Sequence, residues 1–294
     1  MAEQNRYGMS KRRQVKERLA TLDEIHGIMK TMKNLALLEI RKLEMFLDTQ
    51  RRVTTSIERA AQDFLHFYPQ IQAQPDHQQL LIIVGSERGF CGDYNEALVS
   101  FLNSQQPQRE TLLVAVGRKL ESKLLENLGM ATLIESHSVA EEVPMTLRRL
   151  IEVLNRLQQA ASSKIGQISV LYFDDESEQI RLRQLLPLSL PEAEVTYSHP
   201  PLLYLKSAQF LTKLTDQYLY MLLHEVFYSS FMMENRKRLA HMDSAIHHLE
   251  KDTARLRMRA NRLRQEEIIN EIEIILLSTE VLSSNDKLQS KAIS

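Results

Sequence analysis

The chain has 294 residues, of which 43% are hydrophobic and 26% are charged, and its formal net charge is −1. This length allows two domains of ordinary size, and the near-zero charge disfavours a nucleic-acid-binding protein that depends on bulk positive charge. The single cysteine, Cys91, excludes an internal disulfide. The sequence contains neither an apolar run of the signal-peptide type nor a stretch of about eighteen apolar residues that could span a membrane.

A long helix is predicted from Ser10, a favourable N-cap residue, and residues 1–9 are expected to form a loose leader. Within this helix an apolar row repeats at intervals of seven residues, at Val15, Leu22, Met29, Ala36 and Leu43. Proline cannot continue a helix, so the helix should end before Pro69, and residues 69–79 are predicted to be a linker. Gly27 costs about 1 kcal/mol inside a helix relative to alanine, which leads us to expect a close contact there.

The middle of the chain alternates short apolar runs with helical patterns. Strands are predicted over residues 80–84, 111–116, 132–134, 167–173 and 180–186, and helices over residues 93–103, 118–128 and 144–161. Gly129 is the expected C-cap of the second of these helices. Strands that alternate with helices predict a Rossmann-like α/β domain with a mostly parallel sheet, and the last two strands are expected to form an antiparallel pair.

A second long helix is predicted from Ser207 to about Leu282, because this stretch contains no proline and no glycine. Two apolar rows at heptad spacing run along it, Met242, Leu249, Leu256 and Leu263 beside Leu239, Ile246, Thr253 and Ala260. Two such rows form the seam of a left-handed coiled coil. At about 1.5 Å per residue the helix would be about 110 Å long, which is more than a compact domain needs for its own core.

The predicted fold is therefore α/β plus coiled coil. Residues 1–75 form an N-terminal helix and linker, residues 76–200 the α/β domain, and residues 201–294 a C-terminal helix. An insertion between two long helices returns them side by side, so they should pair antiparallel. The end of the C-terminal helix is apolar nearly all round, at Ile268, Ile269, Ile272, Ile274, Ile275, Leu276 and Leu277. Since such a helix must be buried, a partner protein is expected to enclose it.

Three local features of the sequence are candidates for a binding or catalytic site. The loop over residues 85–92 follows a strand and precedes a helix, but it has no lysine and matches no phosphate-binding motif. A structural turn or a partner contact is therefore the better interpretation. Cys91 has no histidine near it in the sequence and is interpreted as a buried thiol. The histidines of the second helix lack the closer spacing of a metal pair, and solvated or interface side chains are expected at His241, His247 and His248.

Residues 251–264 form a basic belt that carries six basic residues and one acid. One interpretation is the solvated outer face of a coiled coil. The other is a positive collar that meets acidic loops on a surrounding partner, since long-range charge attraction suits a surface that must slide or rotate. A nucleic-acid interface is a third interpretation, and the low net charge and few interleaved aromatic residues count against it.

Several motifs resemble the gamma subunit of rotary F-type ATP synthases. The run Asn261-Arg262-Leu263-Arg264-Gln265, followed by Ile268 and Glu271, is similar to the family signature N-[KR]-x-R-Q-x-x-I-T-x-E. The pattern E-x-x-x-R-x-x-x-M-x-x-A is matched by Glu234, Arg238, Met242 and Ala245. Residues 86–95 resemble S-[TD]-[DE]-R-G-L-C-G-G-L-N, and residues 28–32 resemble K-I-T-K-A-M, with Arg41-Lys42 as the basic pair that follows. The match keeps the family order over nearly the whole chain.

The departures from the family pattern indicate a divergent member, such as the gamma subunit of an alternate F-type ATPase. Gly27 replaces a lysine, Asp93 a glycine, Ile269 a threonine and Ile274 an acid. The chloroplast dithiol insert is missing, so the resemblance implies no redox control of that kind. The coupled ion, proton or sodium, stays open, and so does the direction of work in the cell.

The resemblance implies a central stalk that turns inside a ring of alternating alpha and beta subunits and transmits torque to them from a membrane ion-driven c-ring. Family positions that contact beta-subunit loops are matched by Met32, Arg264, Gln265, Ile268 and Glu271. The side that faces the epsilon subunit and the ion ring is matched by Arg88, Gly89, Cys91, Gly92 and Asn95.

The resemblance further implies a non-catalytic subunit that needs no cofactor or metal and binds no nucleic acid. It is expected to be peripheral to the membrane, on the cytoplasmic face of the bacterial plasma membrane. Two other functions stay open on the residues alone. One is a coiled-coil adaptor or tether, and the other is an α/β enzyme that dimerises through its helical arms.

Overall fold

The computed structural model describes the backbone of residues 2–68, 78–105, 111–128, 131–160, 165–187 and 199–292, and the side chains within 11–68, 78–105, 111–124, 131–160, 165–187 and 199–277. The helices are α1 (Ala2–Phe67), α2 (Tyr94–Ser104), α3 (Arg118–Leu128), α4 (Val143–Ala160) and α5 (Ser207–Ala292). The strands are β1 (Gln78–Val84), β2 (Leu112–Val116), β3 (Thr132–Ile134), β4 (Ile165–Phe173) and β5 (Ile180–Leu186). A 3₁₀ turn, Ala140–Glu142, precedes α4.

Both predicted long helices are present, and each is longer than predicted. The expectation of a loose leader over residues 1–9 was wrong, because α1 begins at Ala2. Ser10 is therefore an interior residue of the helix and not its N-cap. Good helix formers in the first turn explain this extension, and the single Gly8 is tolerated at about 1 kcal/mol. The second helix, α5, begins at Ser207 as predicted and continues ten residues beyond Leu282, to Ala292.

Every predicted element of the α/β segment is present, with small shifts at its ends. The first strand begins at Gln78, inside the predicted linker, and β4 begins at Ile165, two residues before the predicted start. Residues 69–77 of the predicted linker and the predicted cap Gly129 lie outside the described residues. The spacing of apolar and turn residues was thus sufficient to locate these elements to within about two residues.

The strands form one sheet in the order β3-β2-β1-β4-β5. The first four strands are parallel, with Leu80 of β1 opposite Leu112 of β2 and Ile168 of β4. The last strand pairs antiparallel with β4. The mostly parallel sheet and its terminal antiparallel pair are confirmed.

Alternate residues of β1 enter two separate cores, because successive strand side chains point to opposite faces of a sheet. On one face Leu80, Ile82 and Val84 pack in a cluster with α4 and α5 residues that include Leu147, Leu150, Leu222, Val226 and Phe227. On the other face Leu81 and Ile83 pack in a cluster with α2 and α3 residues that include Tyr94, Leu98, Leu102, Leu120 and Leu124. Helices on both faces explain why the central strands are continuous apolar runs.

By its internal contacts the chain divides into two compact units. The coil unit contains residues 1–32 and 242–294, and the sheet unit contains residues 33–241. Helices α1 and α5 each contribute to both units, so each unit contains a pair of helical segments.

The coil unit is an antiparallel helix pair with a heptad seam. Buried or half-buried α5 positions alternate at steps of four and three, at Met242, Ile246, Leu249, Thr253, Leu256, Ala260 and Leu263. The matching seam of α1 consists of Arg12, Val15, Leu19, Leu22, His26, Met29 and Met32. Three pairs of charged or polar side chains link the two helices, and their residue numbers rise along α1 while they fall along α5. They are Arg12–Glu267 at 2.5 Å, Asp23–Arg257 at 3.4 Å and His26–Glu250 at 3.5 Å. The predicted antiparallel coiled coil is confirmed.

In the sheet unit the middle of α1 packs on α5 and on the 3₁₀ turn. A third core cluster contains Ile40, Leu43 and Leu47 with Ala140, Phe231 and Met232. The carboxylate of Glu39 accepts the backbone N–H of Ala140 at 3.0 Å and also pairs with Lys42 at 3.2 Å. This acid satisfies an otherwise unpaired N–H at the start of the turn and holds the turn to α1.

Two glycines differ sharply in their surroundings. A Cβ atom on Gly27 would have no heavy atom within 4 Å other than its own helix backbone, so the expected close contact is absent among the described residues. A Cβ atom on Gly85 would lie 2.4 Å from the Cβ of Leu120, where the end of β1 approaches α3. Gly85 is therefore needed for close packing, and Gly27 is not.

We expect Gly85→Ala to lower the free energy of unfolding by about 1–3 kcal/mol, because the added methyl group overpacks the contact with Leu120. The matched substitution Gly27→Ala should raise it by about 0.5–1 kcal/mol, because alanine loses less backbone entropy in an open helix position. Urea denaturation of the purified chains measures both changes. Equal stability of Gly85→Ala and the wild type would contradict the close approach of β1 and α3.

Candidate partner interfaces

The last turns of α5 whose side chains the structure describes expose apolar residues on every side of the helix. Seven isoleucine and leucine side chains between residues 268 and 277 are 40–62% exposed, and every described residue in this range is exposed. The last described ion pair between the two helices lies just before this surface, where the carboxylate of Glu267 contacts Arg12. A contiguous exposed apolar surface of this kind marks a protein interaction site.

Four of the predicted beta-contact residues lie at this end of α5. Arg264, Ile268 and Glu271 are spaced by four and three residues, which places them on one stripe of the helix. Gln265 lies on the neighbouring stripe with Ile269. All of these side chains are exposed, so the structure presents two chemically different faces at the same level of the helix.

The fifth predicted contact, Met32, lies elsewhere in the coil unit. It is half-buried in the seam of α1, six residues beyond His26, which pairs with Glu250. The antiparallel register then places Met32 level with about residue 244, about 30 Å from Arg264 at about 1.5 Å per residue. The structure brings Arg264, Gln265, Ile268 and Glu271 together and leaves Met32 separate from them.

The basic belt, residues 251–264, is a solvent-facing surface of the coil unit. Its arginines Arg255, Arg257 and Arg262 have side chains 76%, 65% and 82% exposed, and they pair loosely with Asp252, Asp23 and Glu266 at 3.6, 3.4 and 3.3 Å. Exposed pairs of this kind contribute little to stability. Among the described side chains, Lys251, Arg259 and Arg264 form no ion pair, which leaves the belt with surplus positive charge.

The loop over residues 85–92 lies at the carboxyl end of β1 and is held in place by hydrogen bonds of Ser86. The backbone N–H of Ser86 donates to Asn95 Oδ1 at 3.0 Å, and Asn95 Nδ2 donates to Ser86 Oγ at 2.8 Å. The Ser86 carbonyl accepts the backbone N–H of Lys119 at 3.1 Å. These contacts fix the start of the loop to α2 and α3.

Glu87 of the loop occupies the N-terminus of α3, the helix that follows β2. Its buried carboxylate accepts the backbone N–H of Arg118 at 3.2 Å, at the start of α3, and the backbone N–H of Ser136 at 2.9 Å. It also accepts Arg118 Nε at 2.5 Å. These contacts tie the loop to α3 and to the segment after β3, which supports the interpretation of the loop as a structural turn.

The structure divides the predicted ion-ring and epsilon residues into two groups. Arg88 and Gly92 are exposed and Gly89 is half-buried, whereas Asn95 turns inward to Ser86. Cys91 is also inward, with Sγ 3.4 Å from Ser86 Oγ and 3.4 Å from the Arg88 carbonyl. Burial raises the pKa of its thiol, as expected for a structural cysteine.

Three residues around the loop were not given a role from the sequence. Phe90 is 55% exposed and has a φ of 65°, so it presents an aromatic ring on the loop surface. Beneath the loop, Glu234 and Arg238 of α5 form a buried ion pair. Their spacing of four residues is a signal for an ion pair on one helix face, but a spacing does not reveal burial.

His241, His247 and His248 are exposed. Within the part of the chain that the structure describes, no group of three histidine, cysteine or acidic side chains is placed to hold a metal ion. The described helices likewise include none with the length and hydropathy needed to cross a membrane.

Comparison with known proteins gives a consistent set of matches. A family model described as ATP synthase matches residues 11–282. The ATP synthase gamma chains of Clostridium botulinum strains Langeland and Loch Maree are each 23% identical over 273 residues, which is 89% of this chain and 95% of each relative.

The fold is also similar to chains in solved ATP synthase structures. The rotor of the Euglena gracilis mitochondrial enzyme gives a TM-score of 0.60 at 15% identity, with 88% of this chain and 99% of that chain covered. A Euglena gracilis structure of OSCP, F1 and c-ring gives 0.64 at 15% identity, with 95% and 96% covered. The central stalk and c-ring structure of Tetrahymena thermophila gives 0.56 at 16% identity, with 74% and 99% covered.

We expect Glu87→Gln to lower the free energy of unfolding by about 1–3 kcal/mol, because a buried carboxylate that accepts two backbone N–H groups loses its charge. The control is Glu135→Gln, whose side chain is 56% exposed and pairs with Arg118 at 3.6 Å. It should change stability by less than about 0.5 kcal/mol. Chemical denaturation of the two variants measures the difference, and equal effects would contradict the structural role of Glu87.

Proposed function

Because the chain belongs to the ATP synthase gamma-chain family, we propose that it transmits torque between a membrane ion-driven ring and a catalytic ring of alpha and beta subunits. It is a central-stalk subunit and has no active site of its own. The observation that carries the proposal is the exposed apolar end of α5, beyond the seam with α1. A helix that is apolar on every side requires an enclosing partner.

The faces of the coil unit differ around its circumference, which suits a rotor. One stripe of α5 carries Arg264, Ile268 and Glu271, and the neighbouring stripe carries Gln265 and Ile269. Beta subunits arranged around this helix would each meet a different stripe. Each would be biased toward a different open or closed state, because a ligand shifts a conformational equilibrium by its differential contacts. Rotation would then pass these states around the ring.

The basic belt, residues 251–264, also supports the proposed rotor function. Its arginines are exposed and loosely paired, so only weak contacts hold them to the coil unit. We propose that they form a positive collar facing acidic loops of the ring. Attraction between separated charges acts without fixed pairing, and it therefore permits the two surfaces to move past one another.

A second partner surface is proposed on the sheet unit. The exposed residues of the loop, Arg88, Phe90 and Gly92, are the ones able to contact the epsilon subunit or the c-ring. Cys91 and Asn95 support this surface from inside through their contacts with Ser86. Structures of similar fold are described as a rotor, as OSCP, F1 and c-ring, and as central stalk and c-ring, which supports these partners.

The two functions left open by the residues lose their support. A family match over residues 11–282 includes both helices and the sheet, so the helices are not an unrelated dimerising device or tether. We further propose a peripheral position on the cytoplasmic face of the bacterial plasma membrane.

Affinity purification of the tagged full-length chain from its own cells tests the function. The expected result is co-purification of alpha and beta subunits together with the c-ring, identified by mass spectrometry. Self-association without nucleotide-binding subunits would overturn the proposal, and so would a bound small ligand in the sheet unit with no such subunits.

We expect Arg264→Ala to lower ion pumping per ATP hydrolysed, or assembly of the complex, several-fold, because it removes an exposed charge from the proposed beta-contact stripe. The matched control is Arg52→Ala, an exposed arginine of α1 that pairs with Asp48 of its own helix at 3.0 Å. Reconstituted complexes measure ATPase and pumping rates, and circular dichroism of the isolated chain checks that its fold is intact. Unchanged rates for Arg264→Ala would count against its assigned role.

A further inference from the structure

A cleft of about 390 Å³ lies in the sheet unit, and residues of α4, α5, β1 and β4 line it. Its lining is mostly apolar: Leu80 and Leu223 are buried, and Leu154, Ile165 and Ile168 are half-buried. Sites for small molecules are concave, mostly apolar and about 300–1,000 Å³ in volume. The cleft therefore has the size and the lining of a site for a small molecule with an apolar body.

The polar residues of the cleft lie on its two helical walls and are exposed. Asn155 and Gln158 are three residues apart on α4, and Asp216 and Tyr220 are four residues apart on α5. These spacings place each pair on one face of its helix. Among the described residues, none of the four side chains forms a hydrogen bond or an ion pair. Their polar groups are therefore available to a ligand from both walls.

The charge of the cleft indicates which ligands it would favour. Of the described residues that line it, Asp216 alone is charged. Lys213, three residues earlier on α5, forms no ion pair with this carboxylate in the part of the chain that the structure describes. The ring of Tyr220 is 40% exposed beside it, and an aromatic face attracts cations. An ammonium group would be attracted by both side chains, whereas an anion would be repelled by the carboxylate.

We propose that this cleft binds a small amphipathic amine. The apolar body of the ligand packs against Leu80, Ile168 and Leu223, and its ammonium group pairs with Asp216 on the exposed wall. The side-chain amide oxygens of α4 accept the remaining ammonium N–H groups. This site goes beyond the proposed function, which uses none of these residues.

Three probes with one apolar body and different head groups test the site, and they are phenylbutylamine, phenylbutanol and phenylbutyrate. The chain contains no tryptophan, so Tyr220→Trp gives the full-length protein a single fluorescent reporter on the wall of the cleft. Titration of each probe measures its dissociation constant. The amine should bind about fivefold more tightly than the alcohol, as expected for one exposed ion pair, and the carboxylate should bind most weakly.

Two controls check the reporter. Tyr204→Trp places the tryptophan at a fully exposed position that does not line the cleft, and its fluorescence should not respond to the probes. Calorimetric titration of the wild-type chain with the same probes should give the same order of affinities. This measurement tests the proposal even if Tyr220→Trp fails to fold.

Two substitutions in the reporter chain locate the ion pair. Asp216→Asn should weaken amine binding about fivefold, to the level of the alcohol, and should leave alcohol binding unchanged. The matched control is Asp252→Asn, which removes an acid of α5 in the coil unit whose side chain is 64% exposed. This control should leave the affinities of all three probes unchanged. Circular dichroism checks the fold of each variant.

The absence of any response to the probes, in both the reporter chain and calorimetry, would overturn the proposal. So would equal affinities for the amine and the carboxylate, or a preference for the amine that persists in Asp216→Asn. A reporter signal that changes with protein concentration and not with the probes would assign the cleft to a second copy of the chain, which also overturns it. None of these results bears on the partners found by affinity purification, so the site and the proposed function fail independently.

Discussion

The structure depends on one uninterrupted helix that meets three environments in succession. Between Tyr218 and Met233, α5 buries its side chains against the sheet and the middle of α1. From Met242 to Leu263 a two-row seam packs on the beginning of α1. Beyond Glu267 every described side chain is exposed, and seven of the ten are isoleucine or leucine. Because α5 contains no proline or glycine, nothing along it ends the helix between these environments.

Buried carboxylates hold the other elements to this framework. Glu39 satisfies the start of the 3₁₀ turn, and Glu87 satisfies the starts of α3 and of the segment after β3. Each acid comes from a different element than the N–H groups that it accepts, so it fixes the geometry between two elements. At the carboxyl end of the sheet this leaves the N-terminus of α3 occupied by an acid of the protein itself. The sheet unit therefore resembles a nucleotide-binding fold in topology while its loop serves as a support.

The three surfaces proposed to contact partners differ in their chemistry, and each suits a different kind of contact. An apolar helix end gains stability when it is enclosed, whereas the arginines of the basic belt act at a distance and without fixed geometry. The loop with Arg88 and Phe90 is small and is positioned by buried groups under it. A stalk subunit needs these properties together: a site that must be surrounded, a surface that can slide, and a region fixed against its neighbours.

The sequence by itself determined the elements, the heptad seam and the family. Strand and helix periods, the prolines and the glycines are local signals, so they located β3, α3 and the start of α5 correctly. The extension of α1 to Ala2 was missed because a cap residue such as Ser10 is tolerated inside a helix. The sequence already indicated a buried Cys91, but only the tertiary structure decided that Asn95 turns inward to Ser86 while Arg88 stays exposed. It alone separated Met32 from Arg264 and enclosed Glu234, because burial and distance depend on the packing of segments far apart in the chain.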